Sequence, residues 1–237
     1  MSDEQQRLDE AASWYLNQQL DFDRRMVRFR YESLRPHLRG PAGLELGSAE
    51  GEMTGLLLPH FQTLTVVDAA GDLLDRIPEL PGLRKVRSLF EDFAPAERFD
   101  TVIMEHVLEH VADPIGLLRR ARTWLAAGGR ILAGVPNALS IHRLAAVKMG
   151  LLTEPWQLNA RDLELGHRRV YTPASLQSHI EAAGMQVIDS GGVFFKPVSN
   201  RQIEEHWDER MIEGFHQLGR DFPGHAAEIF AVCEPDA

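Results

Sequence analysis

Gly43-Leu44-Glu45-Leu46-Gly47-Ser48-Ala49-Glu50-Gly51-Glu52-Met53-Thr54-Gly55 is a short apolar run that breaks into closely spaced glycines and then into a helical pattern. It reads as strand, tight turn and helix N-terminus. Glycines at 47 and 51 let the backbone turn sharply and approach a ligand, because no Cβ stands in the way. The amides that open the helix then face that ligand. About twenty residues on, the spacing of nucleoside-binding α/β units, Leu64-Thr65-Val66-Val67-Asp68 is a second apolar, β-branched run that ends in a carboxylate. Two parallel strands ending side by side bring Asp68 within reach of a ribose diol, the usual task of such an acid in these folds.

The turn is wrong for a pyrophosphate. A dinucleotide fingerprint needs G-x-G-x-x-G so that phosphate can sit on the helix N-terminus. Here Ala49 stands at the third position of that pattern, and Glu50 and Glu52 flank the turn. Acids at this place suit a cation instead. The pattern Glu45-x-Gly47-x-x-x-Gly51 followed by Val66-Val67-Asp68 resembles the first two motifs of class I S-adenosylmethionine-dependent methyltransferases, whose cofactor carries a sulfonium and an ammonium.

Two later stretches extend the resemblance. Phe99-Asp100-Thr101-Val102-Ile103-Met104 reads as a fourth strand, followed by Glu105-His106-Val107-Leu108-Glu109-His110-Val111-Ala112-Asp113-Pro114. The run V-L-E-H-V with D-P behind it is similar to that of small-molecule methyltransferases of the ubiquinone-biosynthesis O-methyltransferase type. Ala127-Gly128-Gly129 is expected to stop the helix begun at Asp113-Pro114, with a fifth strand over Arg130–Pro136 ending in Pro136-Asn137. These motifs lie in order between residues 43 and 137, and order and spacing carry the resemblance.

The resemblance implies an α/β fold: a Rossmann-like, doubly wound, seven-stranded sheet with one antiparallel strand, and helical insertions forming a lid. It implies an enzyme that binds S-adenosyl-L-methionine across the carboxyl ends of the strands through Glu45, Gly47, Ser48, Gly51, Asp68, Ala69, Leu89, Phe90, Met104 and Glu105. In such enzymes an Asp after the third strand often holds the adenine amine. That position falls on Leu89 here, so adenine would rest on backbone groups and on Leu89 and Phe90, with Glu91 as a polar partner. His110, His106 and His167 are the candidate catalytic residues on the acceptor side, and His142 is a fourth histidine to weigh. A neutral imidazole near its ordinary pKa suits removal of a proton from an oxygen or nitrogen nucleophile.

His106-Val107-Leu108-Glu109-His110 also satisfies H-x-x-E-H, a zinc-peptidase signature in which the two histidines share a helix face. Pro114 leaves too short a helix for that reading, which also explains neither the Gly-rich turn nor Asp68. No metal is expected.

Composition agrees with a single methyltransferase domain over 1–237. At 237 residues and 44% hydrophobic, the chain can bury a full core. Cys233 is the one cysteine, which rules out a disulfide framework within the chain and a Cys-based zinc site. The opening residues are polar and acidic, so neither a signal peptide nor a membrane span is expected, and the location expected is cytoplasmic. A net charge of −10 opposes generic nucleic-acid binding. The partner expected is a small-molecule acceptor, and a homodimer is one allowed assembly.

Within that domain, residues 1–40 read as N-terminal helices, with apolar positions at Trp14, Leu16, Leu20, Met26, Val27, Phe29 and Leu34. Arg24, Arg25, Arg28, Arg30, Arg35 and Arg39 cluster there, read first as a solvated face and second as a meeting place for an anionic substrate or partner. Residues 41–137 form the cofactor-binding half. Residues 138–172 are too long for a routine connection and are expected to form a lid. They end in Gly166-His167-Arg168-Arg169-Val170-Tyr171-Thr172-Pro173, where Thr172-Pro173 should start a helix. Residues 173–237 hold the last strands, Met185–Val193 and Ala226–Cys233, around a helical insertion over 199–220. That insertion should have Ile203, Trp207, Met211, Ile212 and Phe215 at core spacing. Two other classes stay open: a noncatalytic S-adenosylmethionine-binding scaffold, and a protein or RNA methyltransferase.

Overall fold

The computed structural model describes residues 21–236. Its strands are β1 Ala42–Leu46, β2 Thr63–Asp68, β3 Leu83–Arg87, β4 Phe99–Glu105, β5 Leu125–Pro136, β6 Met185–Val193 and β7 Glu228–Pro235. They form one sheet in the order β3-β2-β1-β4-β5-β7-β6. Only β7 is reversed, pairing antiparallel with β5 on one side and β6 on the other. This is the doubly wound sheet with one antiparallel strand that the sequence implied.

The helices are α1 Asp21–Leu34, α2 Glu52–Leu57, α3 Gly71–Leu74, α4 Pro114–Trp124, α5 Ile141–Lys148, α6 Ala160–Glu164, α7 Pro173–Ala182, α8 Asn200–His206 and α9 Glu209–Asp221. Because side chains alternate along a strand, each central strand feeds two cores. Val102 and Met104 of β4, Ile131, Ala133 and Val135 of β5, and Ile229, Ala231 and Cys233 of β7 pack with Leu117, Leu118 and Trp124 of α4 and Leu176 and Ile180 of α7. Ile103, Leu132 and Val232 point the other way, toward Leu34 of α1 and Met53 and Leu57 of α2. Strands buried on both faces read as continuous apolar runs, as parallel strands should. Each fully buried Leu or Ile contributes about 1.5–3 kcal/mol.

Several helix starts follow from single side chains. Asp113 accepts a hydrogen bond from the Gly116 amide at 2.8 Å ahead of Pro114, and Thr172 accepts from the Ser175 amide at 3.1 Å ahead of Pro173. Two expectations shift. The insertion is two helices rather than one, because Trp207 is extended and Asp208 caps a new helix by accepting from the Met211 amide at 2.8 Å. Met211 consequently stands 42% exposed rather than in the core, while Ile203 and Ile212 are buried. Likewise α4 ends at Trp124, before the glycines, and Leu125 pairs at once with Phe99, so β5 begins five residues earlier than Arg130. Trp14, Leu16 and Leu20 lie outside the described residues.

Five of the six clustered arginines of the N-terminal segment, Arg25 with Glu209 among them, are engaged within the chain. Arg24 pairs with Glu52 at 2.8 Å, Arg28 with Glu32 at 3.1 Å, Arg30 with Glu228 at 2.8 Å and Arg39 with Glu234 at 3.1 Å. The exposed pairs are worth little. Arg30–Glu228 is more sheltered and ties α1 to the start of β7. Among the described residues, no helix is long and apolar enough to cross a membrane.

Candidate active site

At the carboxyl ends of the strands, the turns after β1, β2 and β4, the start of β7, the segment after β6, α1 and the 138–172 insertion enclose a cavity of about 420 Å³. Its first wall is the Gly-rich turn. Gly47 is left-handed, with φ 75°, and its amide donates to the Val67 carbonyl at 2.9 Å. A Cβ on Gly47 would sit 3.1 Å from Val107 Cγ2 and 3.8 Å from Phe90 Cζ. Asp68 laces this turn to its own: Oδ2 accepts from the Ser48 amide at 3.0 Å and its hydroxyl at 3.4 Å, and Oδ1 accepts from the Ala70 amide at 2.9 Å. Burial nevertheless raises the pKa of Asp68.

Two further acids make this wall suited to a cation. Glu45 is buried and accepts from the Thr54 hydroxyl at 2.7 Å, and burial, with some repulsion from Asp68, pushes its pKa up to about 8. Glu105 is pushed up to about 7, mainly by burial, and its Oε1 is buried without a hydrogen-bond partner. Its carboxylate lies over Gly134, where a Cβ would come within 2.0 Å of Oε1. A positively charged ligand would relieve both burials, whereas a phosphate would aggravate them.

The middle of the cavity belongs to the residues after β4. His106 holds a left-handed φ of 55°, a strained place for a non-glycine. Its ring lies between two carboxylates, Nδ1 at 3.0 Å from Glu109 Oε1 and Nε2 at 3.3 Å from Glu228 Oε1. Burial and Arg30 oppose the charged ring, but Glu228 and Glu109 outweigh them and raise its pKa to about 10. The two carboxylates thus favour the imidazolium and work against this ring as a proton acceptor. Glu109 is fully buried; burial works against its charge, and His106 with His110 and His167 hold it ionised. One ligand atom each from Glu109, His110 and His167 lie within 4.8 Å of one another. His106 and His110 sit in a turn, not on a common helix face as the zinc-peptidase reading requires.

The far wall comes from the insertion. His110 and His167 meet ring edge to face, centroids 4.8 Å apart. His167 Nδ1 lies 3.2 Å from Asp162 Oδ1, and Asp162 Oδ2 accepts from Arg143 Nη1 at 3.0 Å. The Arg143 guanidinium is fixed in turn by the carbonyls of Pro155 and Gln157. Burial alone would raise the Asp162 pKa, but His167, the Asn159 amide and Arg143 hold it down at about 2. An ionised acid beside Nδ1 fixes the orientation of the ring.

The cavity thus gathers Glu45, Gly47, Ser48, Asp68, Phe90, Glu105, His106, His110, His142 and His167, residues the sequence had scattered over 120 positions. Four expected cofactor contacts do not line it. Met104 is wholly buried, because strand alternation turns it under α4 while Glu105 faces the cavity. Leu89 spends its carbonyl on the amides of Asp92 and Phe93, both at 3.1 Å, and the apolar wall is Phe90. Gly51 is left-handed at φ 82° and packs on Ile77, and Ala69 is buried, offering its main chain to Asp68. Glu91 is exposed and stands outside the lining. Sequence reasoning missed Asp162, Arg143, Lys196 and Glu228, whose partners are set by tertiary contact.

Residues 18–190 match a family described as a methyltransferase domain. The ubiquinone biosynthesis O-methyltransferase of Xanthomonas euvesicatoria pv. vesicatoria is 28% identical over 188 residues, covering 74% of this chain and 75% of that protein. The protein of the same description from Cereibacter sphaeroides (strain ATCC 17025) is 34% identical over 113 residues, 46% of this chain and 43% of its own. Among solved structures, the CcbJ methyltransferase from Streptomyces caelestis superposes with a TM-score of 0.65 at 17% identity, covering 100% of both chains. The N-methyltransferase NodS from Bradyrhizobium japonicum WM9, in complex with S-adenosyl-l-homocysteine, gives 0.60 at 17% identity and 100% of both.

Proposed function

The chain belongs to the class I S-adenosylmethionine-dependent methyltransferases, and from that premise we propose that it methylates an oxygen or nitrogen of a small-molecule acceptor, with His167 taking the acceptor's proton. The observation that carries this reading is the Asp162–His167 pair, facing His110 across the cavity that also holds the Gly47 turn and Asp68.

S-adenosylmethionine supplies an electrophilic methyl group on a sulfonium. The residues present fit it: the Gly47 turn leaves room for close approach, Glu105 offers a buried, unpartnered oxygen to the same cavity, and Asp68 and Phe90 line it as candidates for a ribose and an adenine face. The chain's remaining task is to align the acceptor and move its proton. His167, oriented by Asp162, is the base, and His110 packs edge-on against its ring. His106, its charged form favoured by Glu109 and Glu228, contributes a positive field. The relative named for ubiquinone biosynthesis supports a small-molecule acceptor, whether phenol, sugar or another metabolite.

Asp68→Ala should weaken S-adenosylmethionine binding by roughly 1–3 kcal/mol, the cost of hydrogen bonds to a charged group. Calorimetry on a variant with unchanged circular dichroism measures it, and unchanged affinity would refute the ribose assignment. Screening acceptor pools for S-adenosylhomocysteine release separates an enzyme from a noncatalytic scaffold. A second reading is favoured by one observation, the convergence of Glu109, His110 and His167, which could hold a cation that activates the nucleophile. In the histidine-base reading a chelator leaves turnover unchanged. Turnover lost to the chelator and restored by zinc would replace it with the metal reading.

A further inference from the structure

We infer that the acceptor carries a carboxylate, bound by the Lys196 ammonium at the end of the cavity opposite the Gly47 turn. The inference rests on the methyl-transfer reading above and names its substrate class.

Topology supplies the first argument. Gly47 and Asp68 follow β1 and β2 near one edge of the sheet, whereas Lys196 follows β6 at the other edge, with β4, β5 and β7 between. His106 and His110, after β4, lie along the way, so Lys196 stands on the acceptor's side of the proposed transfer. It lines the same cavity.

The second argument is the company Lys196 keeps. Its Nζ donates to Asn200 Oδ1 at 2.8 Å, and Asn200 is held in that orientation by donating its own amide to Asp23 Oδ1 at 2.6 Å. An ammonium has three donors, and among the described residues no carboxylate lies within ion-pair distance of Lys196. Nearby Arg161 is engaged by Asp23 at 3.5 Å. His142, beside it, is hydrogen-bonded to the Lys196 main chain and leaves Nδ1 buried without a partner. Burial, with Lys196 and Arg143, lowers the pKa of His142 to about 3, so this ring stays neutral. Burial and Arg161 draw the pKa of Lys196 down to about 8, with Glu228 and Asp23 opposing them. Among the described residues Asp23 and Glu228 act on Lys196 only from beyond contact distance, and a ligand anion supplies the contact ion pair that a sheltered cation favours.

Arg161 also lines this end but is engaged by Asp23, so the charge assigned to the ligand is that of Lys196, which a single negative charge matches better than a dianion. That selects a carboxylate over a phosphate. The remaining Lys196 donors give such a ligand its polar contacts.

The test uses the full chain loaded with S-adenosylhomocysteine and matched probes: protocatechuate, salicylate and glucuronate, each beside its methyl ester, with phenyl phosphate as the phosphate arm. Calorimetry should show at least one acid bound about 10-fold or more tightly than its ester, the factor expected of a charge-assisted hydrogen bond. Lys196→Met should erase that preference while S-adenosylhomocysteine affinity, the control for folding, stays as in the wild type. Lys196→Arg should keep part of it. The inference is overturned if no acid outbinds its ester, if the preference survives Lys196→Met, or if phenyl phosphate outbinds every carboxylate. Failure of the wild type to bind S-adenosylhomocysteine is a different result, and it refutes the methyl-transfer reading instead.

Discussion

Gly47→Val should abolish S-adenosylmethionine binding in a protein that still folds. The residue sits at φ 75°, where a β-branched side chain is least tolerated. Its Cβ would press on Val107 Cγ2 at 3.1 Å and point toward Phe90, so the added methyls enter the space between turn and cavity wall. Backbone strain of this kind costs on the order of 1–3 kcal/mol, less than the roughly 5–15 kcal/mol that holds a domain together. The strain is confined to one turn at the margin of the core, where Val107 and Phe90 are the side chains met, which is why folding should survive. Calorimetry should show no binding while circular dichroism keeps its wild-type form. Retained binding with a normal spectrum would make the turn a structural feature only.

The sheet and the first wall of the site were legible because their signals are local. A strand run, a glycine spacing and an acid at a strand end each occupy a few consecutive residues, and so do Asp113-Pro114 and Thr172-Pro173, the helix starts. What the sequence hid was pairing at a distance. Glu228 meets His106 from 122 residues away and Arg30 from 198. Nothing in the run around His106 says that two carboxylates will flank its ring and favour its charged form. Met104 and Glu105 show a second limit. In a strand buried on both faces the apolar run conceals which parity faces which layer, and the cavity takes the odd member.

His167→Ala should cut turnover by roughly 10²–10⁴-fold, the usual contribution of a positioned base, while S-adenosylmethionine binds almost normally. The separation follows from placement: His167 closes the 138–172 insertion and touches Asp162 and His110, not the Gly47 turn or Asp68. Asp162→Asn tests the same assignment without emptying the site. The amide cannot hold the ring by charge, so His167 loses its fixed orientation, and turnover should fall although the imidazole remains. His110→Ala removes the ring packed edge-on against His167 and should reduce turnover less than His167→Ala does. Each variant is read by S-adenosylhomocysteine release at saturating cofactor beside its calorimetric affinity. A defect confined to cofactor binding would move His167 to the other wall of the cavity, and undiminished turnover in both alanine variants would remove the two histidines from proton transfer altogether.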